Sequence, residues 1–322
     1  MIALKEFVIS AADDGRKLDK WLIREMPGVP MGQRMKYFRL KRYKLNGHPA
    51  KSDARLAAGD VLQIYLGDEC FEKPAREDPF LSKIHPKLDI LYEDDQILLA
   101  DKRPGLMCHP DANEKVNTLI THIQAYLYQK GAYTPGGFAP VLCNRIDRFT
   151  GGIVICAKTE EAMRIVNQKI RDREIGKFYY CICGGSFRAK EGTLDNYIVK
   201  APDAKRVSVS TKPVEHAQRA VTNYRVIAAR DGLNLVECEL LTGRTHQIRA
   251  QMAFAGHPLL GDTQYGDRRF NEKYNRGFQA LYAYKLKFAF ASDAGALNAL
   301  NGRTFQVRDV RFVREYFPEV KM

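Results

Sequence analysis

From residue 88 onward the apolar residues fall into short extended runs that follow one another with few helical stretches between them. That order constrains the fold more than any other feature of the chain. Residues 88–92 and 96–100 read as strands around the acidic turn Glu93-Asp-Asp95, and Lys102-Arg-Pro-Gly105 breaks the second. Further strands are expected at 153–158, 177–184, 220–228, 233–241 and 280–290. Helical spacing appears at Val116, Leu119, Ile120, Ile123 and Leu127; Thr159 ahead of Glu160 and Glu161 forms an N-cap and a first turn suited to the helix dipole. A doubly wound α/β fold needs strands and helices in regular alternation, so these direct strand-to-strand connections predict an α+β fold.

Before residue 85 the pattern differs. Residues 69–84 hold two prolines, mixed charge and little periodicity, and read as a linker that divides the 322 residues into domains at 1–68 and 85–322. In the smaller part Leu18, Trp21, Leu22 and Ile23 have helical spacing, and 33–41 is a second short helix. Asn46-Gly47 marks a hairpin turn and Val61–Leu66 a closing strand.

Charge indicates the class of partner. With 51 Lys and Arg against 38 Asp and Glu the chain carries +13, a balance that favours a polyanion by neutralising phosphates and releasing their counterions. The excess is segregated: between Gln33 and Ser52 there are seven basic residues and no acidic one. Apolar residues (Met35, Phe38, Leu40, Tyr43, Leu45) interleave with them, so the run is folded, and Arg34, Lys36, Arg39, Lys41, Arg42 and Lys44 are candidate nucleic-acid contacts, with a plain solvated helix face as the alternative. Seven cysteines with no Cys-x-x-Cys pair suit reduced, buried thiols. No charge-free stretch is long enough to span a membrane. Met1-Ile-Ala-Leu-Lys-Glu meets an acidic residue before any long apolar run, so no secretory leader is expected, and the predicted location is cytoplasmic.

Three segments are richer in polar residues than a core requires: Asn144-Arg-Ile-Asp-Arg-Phe-Thr-Gly-Gly152, Lys177-Phe-Tyr179, and Leu241-Thr-Gly-Arg-Thr-His-Gln-Ile-Arg249. Asp147 stands between two arginines on a tight loop before a buried strand. An ionised carboxylate there can act as nucleophile or general base, while a structural Arg–Asp pair is the competing reading. In the third segment Thr245 is expected to cap a helix ending at Gly256. His246 and Arg249 share one face of it, and Ile248, Met252 and Ala255 face the core. His246 and His257 lack ligand spacing and the other histidines are scattered, so no metal is expected. No phosphate-binding loop or dinucleotide fingerprint is present, and no cofactor is expected.

These segments, in this order, resemble the motifs of the RluA-type pseudouridine synthases. The first resembles His-Arg-Leu-Asp-x-x-Thr-Ser-Gly, Lys177-Phe-Tyr179 fits the Lys-x-Tyr element, and Gly243-Arg-Thr-His-Gln-Ile-Arg249 matches the third motif. Tyr92-Glu-Asp-Asp, Lys102-Arg-Pro-Gly-Leu106, Gly261-Asp262, Tyr265-Gly266 and Leu281-Tyr-Ala-Tyr284 agree as flanks. Asn144 and Gly151 depart from the pattern's His and Ser. Residues 1–68 resemble an S4 RNA-binding domain through Arg16-Lys-Leu-Asp19, Lys44-Leu-Asn-Gly47 and Leu56-Ala-Ala-Gly-Asp60.

The resemblance implies a small S4-like α/β domain followed by a catalytic domain on a mixed, mainly antiparallel sheet flanked by helices. It further implies a monomeric enzyme that converts uridine in RNA to pseudouridine. Asp147 would initiate the reaction, Tyr179 would stack on the uracil and assist proton removal at C5, and Arg249 would pair with Asp147. Arg145 would hold the flipped arrangement, with Arg244 and His246 as further RNA contacts. Whether Asp147 attacks the ribose C1′, attacks the uracil C6 or assists glycal formation stays open. The S4-like domain favours ribosomal RNA; transfer RNA as substrate, or a binding factor without activity, are the alternatives.

Overall fold

The structure is a computed structural model describing residues 3–26, 29–71, 78–201, 204, 206–274 and 277–321. The chain divides into two compact units, Met1–Ile84 with Ala125–Ala139, and His85–Gln124 with Pro140–Met322. The first therefore takes in a segment that the sequence pattern left with the larger part.

The first unit contains β1 (Ala3–Val8), α1 (Leu18–Glu25), α2 (Met31–Arg39), β2 (Tyr43–Leu45), β3 (His48–Pro49), β4 (Val61–Leu66) and α3 (Pro79–Lys83). Its sheet has the order β1-β4-β2-β3 and is antiparallel throughout. Strict alternation along β4 buries Leu62, Ile64 and Leu66 against Leu18, Trp21 and Leu22 of α1. Asn46 and Gly47 both take positive φ, as a two-residue hairpin demands. The Asn46 side chain fixes the turn by accepting from the Val61 amide and donating to Asp60. β1 was not evident in the sequence, and α3, capped by Asp78, lies inside the stretch read as a linker. Next to it Gln129 donates to the Leu81 and Ile84 carbonyls.

The second unit is built on an eleven-stranded sheet. Its elements are β5 (Ile90–Glu93), β6 (Ile97–Lys102), the first turns of α4 (Leu119–Gln129), β7 (Val141–Leu142), β8 (Gly151–Ala157), α5 (Glu160–Arg171), β9 (Ile175–Gly184), β10 (Glu191–Val199), β11 (Ser208–Ser210), β12 (Gln218–Arg230), β13 (Leu233–Leu240), α6 (Gln247–Phe254), α7 (Arg268–Lys273), β14 (Leu281–Phe288), β15 (Thr304–Gln306) and α8 (Arg311–Tyr316). The order is β11-β10-β12-β13-β9-β14-β8-β6-β5, with β15 on β14 and β7 on β8.

Every pairing is antiparallel except β8 with β14, so the sheet is two antiparallel halves joined along one parallel seam. One core cluster packs Ile97, Leu99, Ile153 and Ile155 with Ala162 and Val166 of α5, whose start Thr159 caps as expected. Another packs Ile182, Leu235 and Tyr284 with Phe312 and Val313 of α8, and Tyr282 touches both.

The seam depends on two glycines. A Cβ at Gly152, whose φ is +117°, would lie 2.2 Å from the Ala283 carbonyl oxygen; one at Gly151 would meet the Tyr282 ring at 2.4 Å. Glycine at 151 is thus matched to the tyrosine opposite it. Asn144 has a place as well, its side-chain oxygen accepting the Ile155 amide of β8. The short stretch between them, 145–150, is the loop that carries Asp147.

Candidate active site

The loop from Cys143 to Thr150 is tied down along its length. Cys143 bonds back to the Ile155 carbonyl, and the Thr150 amide donates to the Asp147 carbonyl in a tight turn. The Arg148 carbonyl accepts from the Gly105 amide at 2.8 Å and from Lys102 Nζ at 3.0 Å. Lys102, at the end of β6, is fully buried, and its ammonium also reaches the Arg103 and Leu106 carbonyls, so three donors meet three acceptors. Burial lowers its pKa to about 8 against the opposing pull of Cys108, Asp147 and Asp101, which leaves it charged at neutral pH.

Opposite this loop stands α6. Its start differs from the expected Thr245 cap: the N-cap position is His246, in the left-handed region at φ +53°, and no side chain of its own caps the helix. Gln247 organises the turn instead, accepting from the Arg244 amide and the Thr242 hydroxyl while donating to Val221 and Thr222. Ile248 and Met252 are buried as expected, Ala255 is exposed, and Gly256 ends the helix.

From α6, Arg249 reaches in two directions. Nε and Nη2 make a fork on the fully buried Asp262 at 2.7 and 3.0 Å, and Nη1 donates to Asp147 Oδ2 at 2.8 Å; Nη2 also meets Gln264. Asp262 accepts the Gln264 and Tyr265 amides too. Burial would raise the pKa of Asp262, but Arg249 and those amides outweigh it and hold the carboxylate ionised.

His246 Nε2 lies 3.9 Å from the same Asp147 oxygen, and its Nδ1 is 2.9 Å from the Tyr265 hydroxyl. That hydroxyl accepts the Val207 amide at 2.7 Å and has its own proton left for Nδ1. The ring proton then belongs on Nε2, facing the carboxylate. Burial, with the charge of Arg249, keeps His246 below its ordinary pKa against the pull of Asp147 and Asp262, so it is neutral at pH 7.

Asp147, Tyr179, Arg249, Arg145, Arg244 and His246 all line one cavity of about 170 Å³, together with Ile146, Thr150, Leu240 and Leu281. That is smaller than the ~300–1,000 Å³ of a drug-sized ligand site and suits a single ring. Tyr179, on β9 beside the seam, is 7% exposed. Burial and then the Asp147 charge push its phenol well above the ordinary range, so it is a neutral hydroxyl on an aromatic wall. Arg145 and Arg244 are exposed at the mouth. Arg34, Lys36, Arg39, Lys41, Arg42 and Lys44 belong to the first unit: the first three are on α2, Lys41 and Arg42 in the turn after it, and Lys44 on β2. Among the described residues none of them pairs with a carboxylate, and Lys44 lies over the Tyr65 ring.

The RNA pseudouridylate synthase family model matches residues 96–254, which include Asp147, Tyr179 and Arg249. A protein of Mycoplasma pneumoniae named as an uncharacterized RNA pseudouridine synthase is 31% identical over 293 residues, 88% of each chain. The chain belongs to the RNA pseudouridine synthase family.

The synthase is also 29% identical over 299 residues, 89% of each chain, to the ribosomal large subunit pseudouridine synthase C of Escherichia coli K12. The solved structure of human RNA pseudouridylate synthase domain containing 4 shares its fold, with a TM-score of 0.55 over 69% of the synthase and 89% of that chain at 22% identity. Asp262, Gln264, Tyr265 and Lys102 hold the site together but drew no role from the sequence. Lys102, Asp262 and Tyr265 stood only in flanking motifs, and their partners are set by folding. Among the described residues no group of His, Cys, Asp or Glu is placed to hold a metal ion, and no helix is long and apolar enough to cross a membrane.

Proposed function

We propose that the synthase isomerises uridine in large-subunit ribosomal RNA, with Asp147 as nucleophile and the target nucleotide turned out of its helix into the cavity. The observation that carries this reading is the Asp147 carboxylate held at 2.8 Å by a guanidinium that a buried second aspartate fixes in place. A carboxylate so oriented needs no further search to meet a ring that enters beside it. Its position among cavity-lining residues favours chemistry over a purely structural ion pair.

Removing a base from its stack costs a few kcal/mol, and stacking on Tyr179 with charge contacts from Arg145 offsets part of that. The Asp147 carboxylate bonds to the substrate as the C1′–N1 bond breaks, the uracil turns against the Tyr179 ring, C1′ joins C5 as the carboxylate departs, and the C5 proton leaves as N1 gains one. With its pKa raised, the Tyr179 phenol is a poor base in the free enzyme, and stacking is its stronger role.

The ribosomal substrate is favoured by the relative named for the large subunit and by the exposed basic α2 of an S4-like first unit. The cytoplasm is the matching location. Pseudouridine mapping of ribosomal and transfer RNA from cells with and without the gene tests the proposal: a large-subunit site should vanish in the deletion strain and return with the wild-type chain but not with Asp147→Asn. Loss confined to transfer RNA would move the substrate, and full conversion by Asp147→Asn would remove Asp147 from the chemistry.

A further inference from the structure

The loop that carries Asp147 also carries an aromatic ring that the isomerisation does not use. Phe149, two residues after Asp147, is 42% exposed, and Phe278, just ahead of β14, is 40% exposed. The two rings stack with centroids 5.9 Å apart and planes 22° from parallel, and the Arg148 guanidinium sits 5.3 Å from the Phe149 centroid. Two phenylalanines left this open on one patch are unusual, because such rings normally contribute most when buried.

Their backbone is anchored. The Arg148 carbonyl is held by Gly105 and Lys102, its Nε donates to the Gly105 carbonyl, and Thr150 is buried with its hydroxyl taking Gln279, the neighbour of Phe278. Thr150 and Asp147, on either side of Arg148 and Phe149 in sequence, both line the cavity. Arg148, over the Phe149 ring, is exposed, and Arg145, four residues before Phe149 in the chain, is an exposed cation lining the cavity. Aromatic faces flanked by arginines are the means by which proteins hold unstacked bases next to a phosphate backbone.

We propose that Phe149 and Phe278 form a stacking platform for the RNA base adjacent to the flipped uridine. When the uridine leaves its helix the neighbouring base loses a stacking partner, and the platform replaces it at the mouth of the cavity. This rests on the reading that the synthase draws a uridine out of RNA.

The test uses in vitro transcribed ribosomal RNA. Pseudouridine formation by the wild-type chain is measured first; a wild type that forms none on ribosomal or transfer RNA sinks the functional reading itself, and the platform with it. On the RNA that is modified, Phe149→Leu, Phe278→Leu, Phe149→Tyr and Phe278→Tyr are compared, all of which keep the space filled, with thermal melts to verify folding. Base stacking is worth about 1–3 kcal/mol, so KM for RNA should rise roughly tenfold in each Leu variant while the Tyr variants stay near wild type. In an RNA hairpin carrying the mapped uridine, 2-aminopurine beside it should be quenched by wild type and Tyr variants only. Leu variants with wild-type KM and quenching, or Tyr variants as impaired as Leu, overturn the platform.

Discussion

Arg249 serves two carboxylates with one guanidinium, and the two partners are not equivalent. Asp262 is fully buried and takes the fork; Asp147 is about a quarter exposed and takes the remaining nitrogen. Asp147→Asn should therefore abolish product yet cost no more than about 1 kcal/mol of stability in a urea melt, as expected for a partly solvated pair. Arg249→Met should abolish product and also cost about 3–5 kcal/mol, because it leaves Asp262 buried and unpaired. Equal stabilities for the two variants would contradict this division.

Lys102 provides a second contrast at this scale, in its dependence on pH. Folded, it titrates near 8, while in the unfolded chain a lysine keeps its proton to about 10.5. Between those values the unfolded chain binds more protons, so this residue's contribution to stability grows as pH rises, by about 3 kcal/mol at most. The stability gap between wild type and Lys102→Met should widen from about pH 8 to pH 10; a flat gap would show that the lysine does not titrate there.

Among the elements, legibility followed burial pattern. β4 alternates half-buried and buried residues, β8 is buried throughout, and both were evident in the sequence to within two residues. β10, whose side chains are exposed or half-buried but for one, and the three-residue β11 carry no apolar period and were missed. The start of α6 was misread for another reason: a threonine one residue early looks like a cap, but the left-handed turn at His246 is stabilised by Gln247, whose partners lie on β12 and in the approach to the helix. The seam between β8 and β14 makes its own prediction. Gly152→Ala places a methyl against the Ala283 backbone at a φ that L residues avoid, and should cost more than about 3 kcal/mol or prevent folding. A melt within about 1 kcal/mol of wild type would mean that the seam yields.

For the molecule as a whole, the charge of +13 is shared between the two units, and the six basic residues from Arg34 on α2 to Lys44 on β2 of the first are candidates for most of its phosphate contacts. Replacing Arg34, Lys36 and Arg39 with Gln should weaken RNA binding and reduce the slope of log affinity against log salt by about 2–3, since each lost phosphate contact accounts for 0.7–0.9. An unchanged slope would assign the contacts elsewhere. Asp147, Tyr179 and Arg249 were all legible as candidate residues, whereas the closed network that joins Arg249 to Asp262 and His246 to Tyr265 was not. Its members lie 13 and 19 residues apart across the turn that follows α6, a spacing that no periodicity marks.

The parallel seam also sets an order in time. Asp147 and Arg249 are 102 residues apart, and the strand that fixes the Asp147 loop in the sheet is not complete until residue 288. A ribosome making this chain has therefore released residue 288 before the two halves can join. The nascent protein can fold its small basic unit, apart from residues 125–139, long before its cavity closes. Modification should begin only after residue 288 has been released, however soon the growing chain meets RNA.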